Sequence, residues 1–232
     1  LLLLFTLIFC PHSSLRSACK QYKNKGLNRP RRHTMIWMFS VLCSLAVMGI
    51  SGIVPPEGTL LASDEPPGFF LLWTRYSAHL AFLFLLVAFL TSAARRRWHH
   101  PVTRVLMNYR RQLGLGFATA HIFHLVALTL FLLNLEGFSA IASLAVAAFG
   151  YAVTTALAVT SNNWSVRRLG VKQWRLLHTT GINILMLYFF VAFSAALIQK
   201  GGTVYVVYVL AIIGAVVAKA SARKTRLQHT TD

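Results

Sequence analysis

Six apolar runs, separated by short basic loops, constrain the fold of this chain more than any other feature. Each run has about 17–23 residues, the length that an α-helix needs to cross a hydrocarbon core of about 30 Å. Charged residues make up only 12% of the chain, about half the fraction usual in soluble domains. The sequence therefore excludes an ordinary soluble or disordered protein and predicts an all-α integral membrane protein, a six-transmembrane-helix bundle. The predicted spans are 35–54, 69–91, 112–133, 139–160, 176–198 and 203–219.

The positive charge lies almost entirely on one side of this predicted bundle. The chain has 23 Lys and Arg against 5 Asp and Glu, a formal net charge of +18. Of the 23 cations, 21 precede the first span, end or follow the last, or lie in the loops after the second and fourth spans. Lys and Arg are enriched on the cytoplasmic side of membranes. The pattern predicts that both termini are cytoplasmic, and it explains the charge without nucleic-acid binding.

The domain organisation follows from these spans. Residues 1–34 read as an N-terminal extension, because the first methionine is Met35 and the apolar run 1–10 is too short to cross a membrane. Residues 35–220 form the membrane domain, and 221–232 form a basic cytoplasmic tail. The three cysteines, Cys10, Cys19 and Cys43, match no metal-binding spacing and indicate no disulfide framework.

Ionisable residues inside the spans are the candidates for function, because such residues are costly in a bilayer. They are Arg75 and His79 in span two, His121 and His124 in span three, and His178 in span five. The absence of Asp and Glu from the spans argues against a proton pump or a cation transporter, whose relays usually contain carboxylates. Histidines on different helices suit haem iron. Zinc is disfavoured without cysteine or carboxylate partners.

Depth and helical spacing compare the candidate ligands. His121 and His124 are three residues apart and share a helix face. Counted from Gln112, His121 is about 13 Å and His124 about 18 Å along the helix, whereas His178 is about 6 Å past Trp174. His121 is therefore the closer match to His178 in depth, and both span-three histidines stay open. His79 shares a face with Arg75 and is expected to form a structural polar pair or an outer site.

Two stretches then resemble a known family. Arg110-Arg111-Gln112-Leu113-Gly114-Leu115, running on to His124, resembles the third helix of ferric reductase-like transmembrane domains. Thr160-Ser161, Arg167-Arg168-Leu169-Gly170 and Trp174-Arg175-Leu176-Leu177-His178 are similar to the loop and fifth helix of that family. Within it, the likeness is greatest to the haem-binding membrane subunits of periplasmic methionine sulfoxide reductase systems. It extends over roughly residues 35–220.

The resemblance implies a cofactor and a function. It implies a b-type haem in a bacterial inner membrane, with His124 and His178 at the positions of the family's ligand histidines. Because depth favours His121, we expect the iron to be held by His178 and either His121 or His124. Two axial histidines leave no open site on iron, which favours electron transfer over oxygen binding. The expected contacts of the haem include propionate pairs with nearby cations, threonine hydrogen bonds and space beside glycines. These residues are Arg110, Arg111, Lys172, Arg175, Thr179, Thr180, Gly114, Gly116 and Gly181.

The chain also departs from the family pattern. The relatives often carry a histidine thirteen residues after the position of His178, and Val191 occupies that place here. Ile182 stands where they often have a tyrosine. We therefore expect one haem rather than two.

Three functions remain open from the sequence. The first is a haem b electron-transfer subunit that carries electrons from a flavoprotein or quinol donor to an external acceptor or a partner periplasmic reductase. No flavin or nicotinamide domain fits in the chain, because Gly114-Leu115-Gly116 opens a membrane helix rather than a dinucleotide loop. The second is a haem-free membrane scaffold or assembly subunit, and the third is a small-solute transporter.

Overall fold

The long apolar runs form α-helices, because a helix satisfies its own backbone hydrogen bonds where no water is present. A computed structural model describes residues 30–53, 68–98, 100–133 and 141–228, with side chains for 37–53, 68–98, 100–133 and 147–222. Every element within those ranges is helical. The helices are α1 Pro30–Ile53, α2 Phe69–Arg97, α3 Pro101–Asn108, α4 Arg110–Leu133, α5 Ile141–Val159, α6 Asn163–Leu169, α7 Val171–Lys200 and α8 Thr203–Gln228.

Four of the described helices are long and apolar enough to cross a membrane, namely α2, α4, α7 and α8. The apolar segments described in α1 and α5 are shorter, Trp37–Ile53 and Ala147–Val159. Each of the six predicted runs overlaps one of these helices. The described residues thus confirm an all-helical fold with four candidate spans, while the count of six rests on the sequence.

The helices extend beyond the predicted apolar runs. α1 begins at Pro30, before the predicted boundary at residue 35, and α8 continues to Gln228 inside the predicted tail. α2 continues to Arg97 and α7 begins at Val171, so basic residues lie on helix ends rather than in loops. Hydropathy marks only the apolar part of a helix, whereas a helix continues as long as its backbone bonds are made. Residues 1–29 and the four prolines between residues 54 and 67 lie outside the described residues.

Two short helices occupy the segments that the sequence left as basic loops. Asn162 caps α6, because its side-chain oxygen accepts a hydrogen bond from the backbone N–H of Ser165 at 2.7 Å. His100 caps α3 in the same manner through Val102 N–H, with Pro101 in the first turn. Both arrangements satisfy donors that have no partner within the helix.

The core is an aromatic cluster built around α2. Phe82 is fully buried, and its ring centroid lies 5.0 Å from that of Phe193 on α7 and 5.1 Å from that of Tyr208 on α8. Phe117 of α4 and Phe189 of α7 continue the same cluster, with centroids 6.4 Å apart. Edge-to-face and tilted ring pairs contribute beyond the area that they bury. α2 therefore connects α4, α7 and α8 into one bundle.

Small residues set the closest helix contacts. A Cβ at Gly116 would lie 3.3 Å from the Phe84 ring, and the Ser40 hydroxyl of α1 donates to the Gly116 carbonyl at 2.7 Å. A Cβ at Gly181 of α7 would lie 2.8 Å from Cδ2 of Leu157 on α5. Close backbone approach at small residues is the usual basis of helix association in membranes. Gly116 and Gly181 thus serve packing, and the expectation that they leave room for a macrocycle is wrong.

The reversal between α7 and α8 depends on two glycines. Gly201 and Gly202 have φ angles of 67° and 99°, a backbone region that residues with a Cβ rarely adopt. The Gly201 N–H donates to the Leu197 carbonyl at 2.9 Å and ends α7. With only these two residues between them, α7 and α8 run antiparallel as neighbours.

The predicted consequence concerns the α5–α7 contact. We expect Gly181→Ala to lower the free energy of unfolding in detergent by about 1–3 kcal/mol, because the new methyl group collides with Leu157. Gly214→Ala is the control, since a Cβ there meets nothing within 4 Å, and it should be neutral or stabilising through helix propensity. Adding Leu157→Ala should recover part of the loss. Equal thermal stability of the two glycine variants would contradict this packing.

Candidate functional site

A cavity of about 260 Å³ lies where the N-terminal ends of α4 and α7 meet. Its walls are mainly apolar, and a basic group stands at one end of it. The polar side chains that line it include Arg110, Arg111, Thr154, Ser161, Arg175, His178 and Thr179. Lys172 and Thr180, which the sequence placed with this group, are exposed to the outside. The structure therefore brings three of the four expected cations and one of the two threonines to a single space.

His178 is held by two neighbours at the edge of this cavity. Its Nε2 lies 3.0 Å from the Thr160 hydroxyl, which itself donates to the Ala156 carbonyl at 2.6 Å. The indole ring of Trp174 stacks on the imidazole with centroids 4.2 Å apart, and its N–H donates to the Thr160 carbonyl at 2.8 Å. One residue at the C-terminal end of α5 thus fixes both rings of α7.

Arg111 is anchored by the short helix α6. Its guanidinium donates to the Asn163 side chain at 3.1 Å. On the same helix, Arg168 lies over the Trp164 ring at 5.6 Å from the centroid, a cation–π distance. The Arg-rich segment between α5 and α7 therefore folds as a helix that positions a cation at the cavity.

His121 lies deeper in the bundle and outside this cavity. It is 3% exposed, and its ring lies against that of Tyr151 of α5, tilted by 36° with centroids 4.4 Å apart. Its Nδ1 and the Tyr151 hydroxyl are both buried without a hydrogen-bond partner among the described residues. Unsatisfied buried polar groups are rare and costly. This pair marks a second polar point inside the bundle.

His124 faces α2. Its Nδ1 lies 3.1 Å from the Ser77 hydroxyl, which donates to the Thr74 carbonyl at 3.0 Å. The rings of His121 and His124 are 5.8 Å apart. The two histidines therefore lie close together on one helix face, as their spacing predicts. Each ring nevertheless contacts different neighbours.

The expected match in depth between His121 and His178 does not hold in the structure. His121 packs against Phe189 with ring centroids 6.0 Å apart, and Phe189 lies eleven residues beyond His178 on α7. Eleven residues correspond to about 16 Å of helix. The sequence estimate measured depth from Gln112 and Trp174 as common boundaries, whereas α4 and α7 pack with a stagger that places the two rings at different levels.

His79 belongs to an aromatic cluster rather than to a polar pair. Its ring centroid lies 5.1 Å from Tyr208 and 6.0 Å from Phe193. Arg75, one turn earlier, has a buried Nη1 without a hydrogen-bond partner among the described residues. The aromatic rings around His79 come from α7 and α8, which spacing along α2 could not reveal.

The two positions at which the chain departs from the family pattern lie in different surroundings. Val191 is 59% exposed on the outer surface of α7, and Ile182 lines the cavity. Of the three glycines expected beside a macrocycle, Gly114 alone borders the cavity with open space where its side chain would be. Within the described residues, no three His, Cys, Asp or Glu side chains come together to hold a metal ion.

Sequence reasoning missed three polar partners in this site. Thr160 and Trp174 were noted as parts of a motif, but not as the residues that hold His178. Tyr151 received no role, although a tyrosine in the middle of an apolar span carries a hydroxyl that needs a partner. The hydroxyl of Tyr151 was the feature of the sequence that could have indicated a polar site inside the bundle. Comparison with protein-family models, curated proteins and solved structures found no match to this chain.

The predicted test of the His178 arrangement removes one hydroxyl. Thr160→Val should lower the free energy of unfolding by about 1–3 kcal/mol, because His178 Nε2 loses a partner in a half-buried place. Thr129→Val is the matched control, since that exposed hydroxyl bonds within its own helix, to the Leu125 carbonyl at 2.8 Å. Thermal unfolding in detergent measures both. Loss of stability in the control alone would refute the role of Thr160.

Proposed function

We propose that this chain is a b-type haem-binding membrane protein that transfers electrons across the bilayer as the membrane subunit of an oxidoreductase system. The observation that carries the proposal is the cavity in which His178 and three arginines border one apolar-walled space. A ligand for this space needs an apolar body and a centre to which an imidazole nitrogen can bind. It also needs anionic groups that can pair with the arginines. Haem combines these properties, and Arg pairs well with its carboxylates.

The charge balance of the chain supports an anionic ligand. All five Asp and Glu residues lie in 54–67, 134–140 and 229–232, so the described residues contain no carboxylate side chain. Arg110, Arg111 and Arg175 therefore face the cavity without an acidic neighbour from the described helices. Of the three, Arg110 is half-buried and Arg111 and Arg175 are exposed, so Arg110 gains most from an anion beside it.

Three histidines are the residues that would hold the haem iron. His178 on α7 would be one of them, and His121 or His124 on α4 would be the other. The unpartnered Nδ1 of His121 supports a ligand role for this ring, because a metal would satisfy a nitrogen that has no hydrogen bond here. Along α7, His178 is about 16 Å from Phe189, the residue that packs against His121. A single iron could therefore bind His178 and His121 only if α4 shifted along α7.

The remaining residues orient the group and shield it. Gly114 leaves the cavity wall open on α4, and Phe117 and Leu185 close its inner end. When bound, the haem supplies one-electron transfer, and the protein keeps water away from it. The electrons come from a flavoprotein or quinol donor and pass to an external acceptor or a periplasmic reductase partner.

The decisive prediction is spectroscopic. The purified protein in detergent should give a b-type band in a dithionite-reduced minus oxidised spectrum. His178→Ala should abolish the band, and so should His121→Ala or His124→Ala. His79→Leu is the control, because His79 packs among aromatic rings, and it should keep the band.

The same experiment contains the result that would overturn the proposal. The absence of a band in a monodisperse, helical sample, even after haem is supplied, would exclude a haem-binding role. A band that survives all three ligand variants would exclude these histidines as ligands. Size-exclusion chromatography and circular dichroism of each variant separate loss of haem from loss of fold.

A haem-free membrane scaffold is the second candidate, and one observation favours it. His178 already has a hydrogen bond to Thr160 and a stacked ring at Trp174, which together connect α5 to α7. A histidine with both contacts made can be wholly structural. In this case, the histidine variants would lower stability without any change in the visible spectrum.

We also propose the membrane arrangement in its finer form. α1 and α5 join the four longer helices as spans, which gives six crossings with both termini in the cytoplasm. The support is the position of Lys and Arg: Arg95–Arg97, Arg110 and Arg111, and Arg167 and Arg168 flank the ends that this arrangement makes cytoplasmic. The α7–α8 turn would then face the outside.

Cysteine labelling tests this orientation. In a background without Cys10, Cys19 and Cys43, Thr203→Cys should react with a membrane-impermeant maleimide in intact spheroplasts. Gln228→Cys should react only after permeabilisation. Labelling of Gln228→Cys from the outside, or of neither site after permeabilisation in folded protein, would contradict the proposed orientation.

A further inference from the structure

Ser77 and His124 form a hydrogen-bonded pair between α2 and α4. Ser77 is 2% exposed, and its hydroxyl oxygen lies 3.1 Å from Nδ1 of His124 and 3.0 Å from the Thr74 carbonyl oxygen. Buried polar groups are nearly always hydrogen-bonded. The direction of these two bonds therefore follows from the hydrogens that each group has to donate.

The Ser77 hydroxyl has a single hydrogen to share between two neighbours. The Thr74 carbonyl can only accept a hydrogen bond, whereas an imidazole nitrogen either donates or accepts. Both contacts are hydrogen bonds only when Ser77 donates to Thr74 and accepts from the Nδ1–H of His124. Burial favours the neutral imidazole, which carries one N–H. The lone pair of His124 therefore lies on Nε2.

The other two candidate histidines differ from His124 in this respect. The Nδ1 of His121 is buried without a hydrogen-bond partner among the described residues, so no acceptor there fixes its tautomer. At His178 the bonded nitrogen is the opposite one, because the Thr160 hydroxyl donates to the Ala156 carbonyl and therefore accepts from Nε2–H. Of the three histidines, His124 is the one whose hydrogen bond leaves Nε2 unprotonated.

The Ser77 hydroxyl has the position that suits the second partner of a metal-binding histidine. Such a histidine almost always donates the hydrogen of its other ring nitrogen to an acceptor. This hydrogen bond fixes the tautomer, holds the ring in place and makes the ligand nitrogen more basic. Sequence reasoning did not find Ser77, because it lies 47 residues from His124 along the chain and on another helix.

We infer that Ser77 is a positioning residue, which sets the tautomer of His124 and leaves Nε2 of that ring as the nitrogen able to bind iron. The inference rests on the proposed function, with His124 as the ligand from α4, and it adds a residue of α2 to the site. Ser77 acts only through the ring of His124.

Nuclear magnetic resonance of the protein prepared without haem measures the tautomer directly. The full chain is labelled with ¹⁵N-histidine and purified in detergent, and ring ¹H–¹⁵N correlations show which nitrogen carries the hydrogen. Comparison with His124→Ala and His178→Ala assigns these two rings among the nine histidines. His124 should be in the Nδ1–H form, and His178 should be in the Nε2–H form.

Ser77→Ala removes the acceptor. Nδ1–H should then no longer be the main form of His124. Haem supplied to this variant should bind about tenfold more weakly than to the native protein, an effect usual for loss of the second partner of a metal ligand. The native tautomer decides the inference should Ser77→Ala fail to fold.

Ser44→Ala is the matched control. Ser44 of α1 is 1% exposed, and its hydroxyl donates to the Ser40 carbonyl at 2.9 Å within its own helix. This variant loses a buried serine hydroxyl as well, but it should change neither the tautomer of His124 nor the affinity for haem.

Three results would overturn the inference. The first is an Nε2–H or doubly protonated His124 in the native protein, and the second is an unchanged Nδ1–H form in folded Ser77→Ala. The third is equal haem affinity of Ser77→Ala and the native protein, which would leave the hydroxyl with a packing role alone.

Failure of the proposed function gives a different result. The native protein would then bind no haem, while the tautomer of His124 would still change on loss of the Ser77 hydroxyl. This outcome would support the positioning of the ring by Ser77 and refute the haem.

Discussion

The absence of carboxylates from the described helices is the constraint on which much of this structure depends. Cations in an apolar bundle normally pair with Asp or Glu. Here His124 and His178 are instead held by hydroxyl groups, and Lys219 lies against an amide oxygen and an aromatic ring. These neutral partners fix the position of each polar side chain inside the bundle.

Aromatic packing holds the helices together, which the few polar contacts alone do not. The rings of Phe82, Phe189 and Phe193 contact one another across α2 and α7. Phe117 extends the cluster to α4, directly between the cavity and His121. The same cluster therefore joins the helices and separates the two polar regions. Any arrangement in which His121 and His178 share a ligand has to move Phe117 or the helix that carries it.

The sequence predicted the helices well because hydropathy and helix length are local properties. The run from Phe69 to the arginines at 95–97 is visible in the sequence and is helical in the structure. The gathering of Arg110, Arg111, Arg175 and His178 also followed from motifs near the starts of two helices. The relative stagger of α4 and α7 could not be predicted, because it depends on how Phe117, His121 and Phe189 interlock. Depth counted along single helices contains no information about that contact.

The roles of individual glycines show the same limit. Gly114, Gly116 and Gly181 are alike in sequence, yet one borders a cavity and two bring helices together. The difference depends on which neighbour faces each Cα, a property of pairs of helices. The partners of His178 were closer to being found, since Thr160 and Trp174 belong to the same motif. Their contacts depend on the short helix α6, which lies between Thr160 and Trp174 and which the sequence left as a loop.

The two-glycine turn at Gly201 and Gly202 has a consequence for how the protein is made. α8 has few side chains buried within the bundle, compared with α2, so packing against the other helices contributes little to holding it in place. A reversal of two residues keeps α7 and α8 adjacent from the moment both leave the ribosome. They can therefore insert together as a helical hairpin. Residues with a Cβ at these positions would lengthen the turn, and the cost would fall on biogenesis more than on the finished bundle.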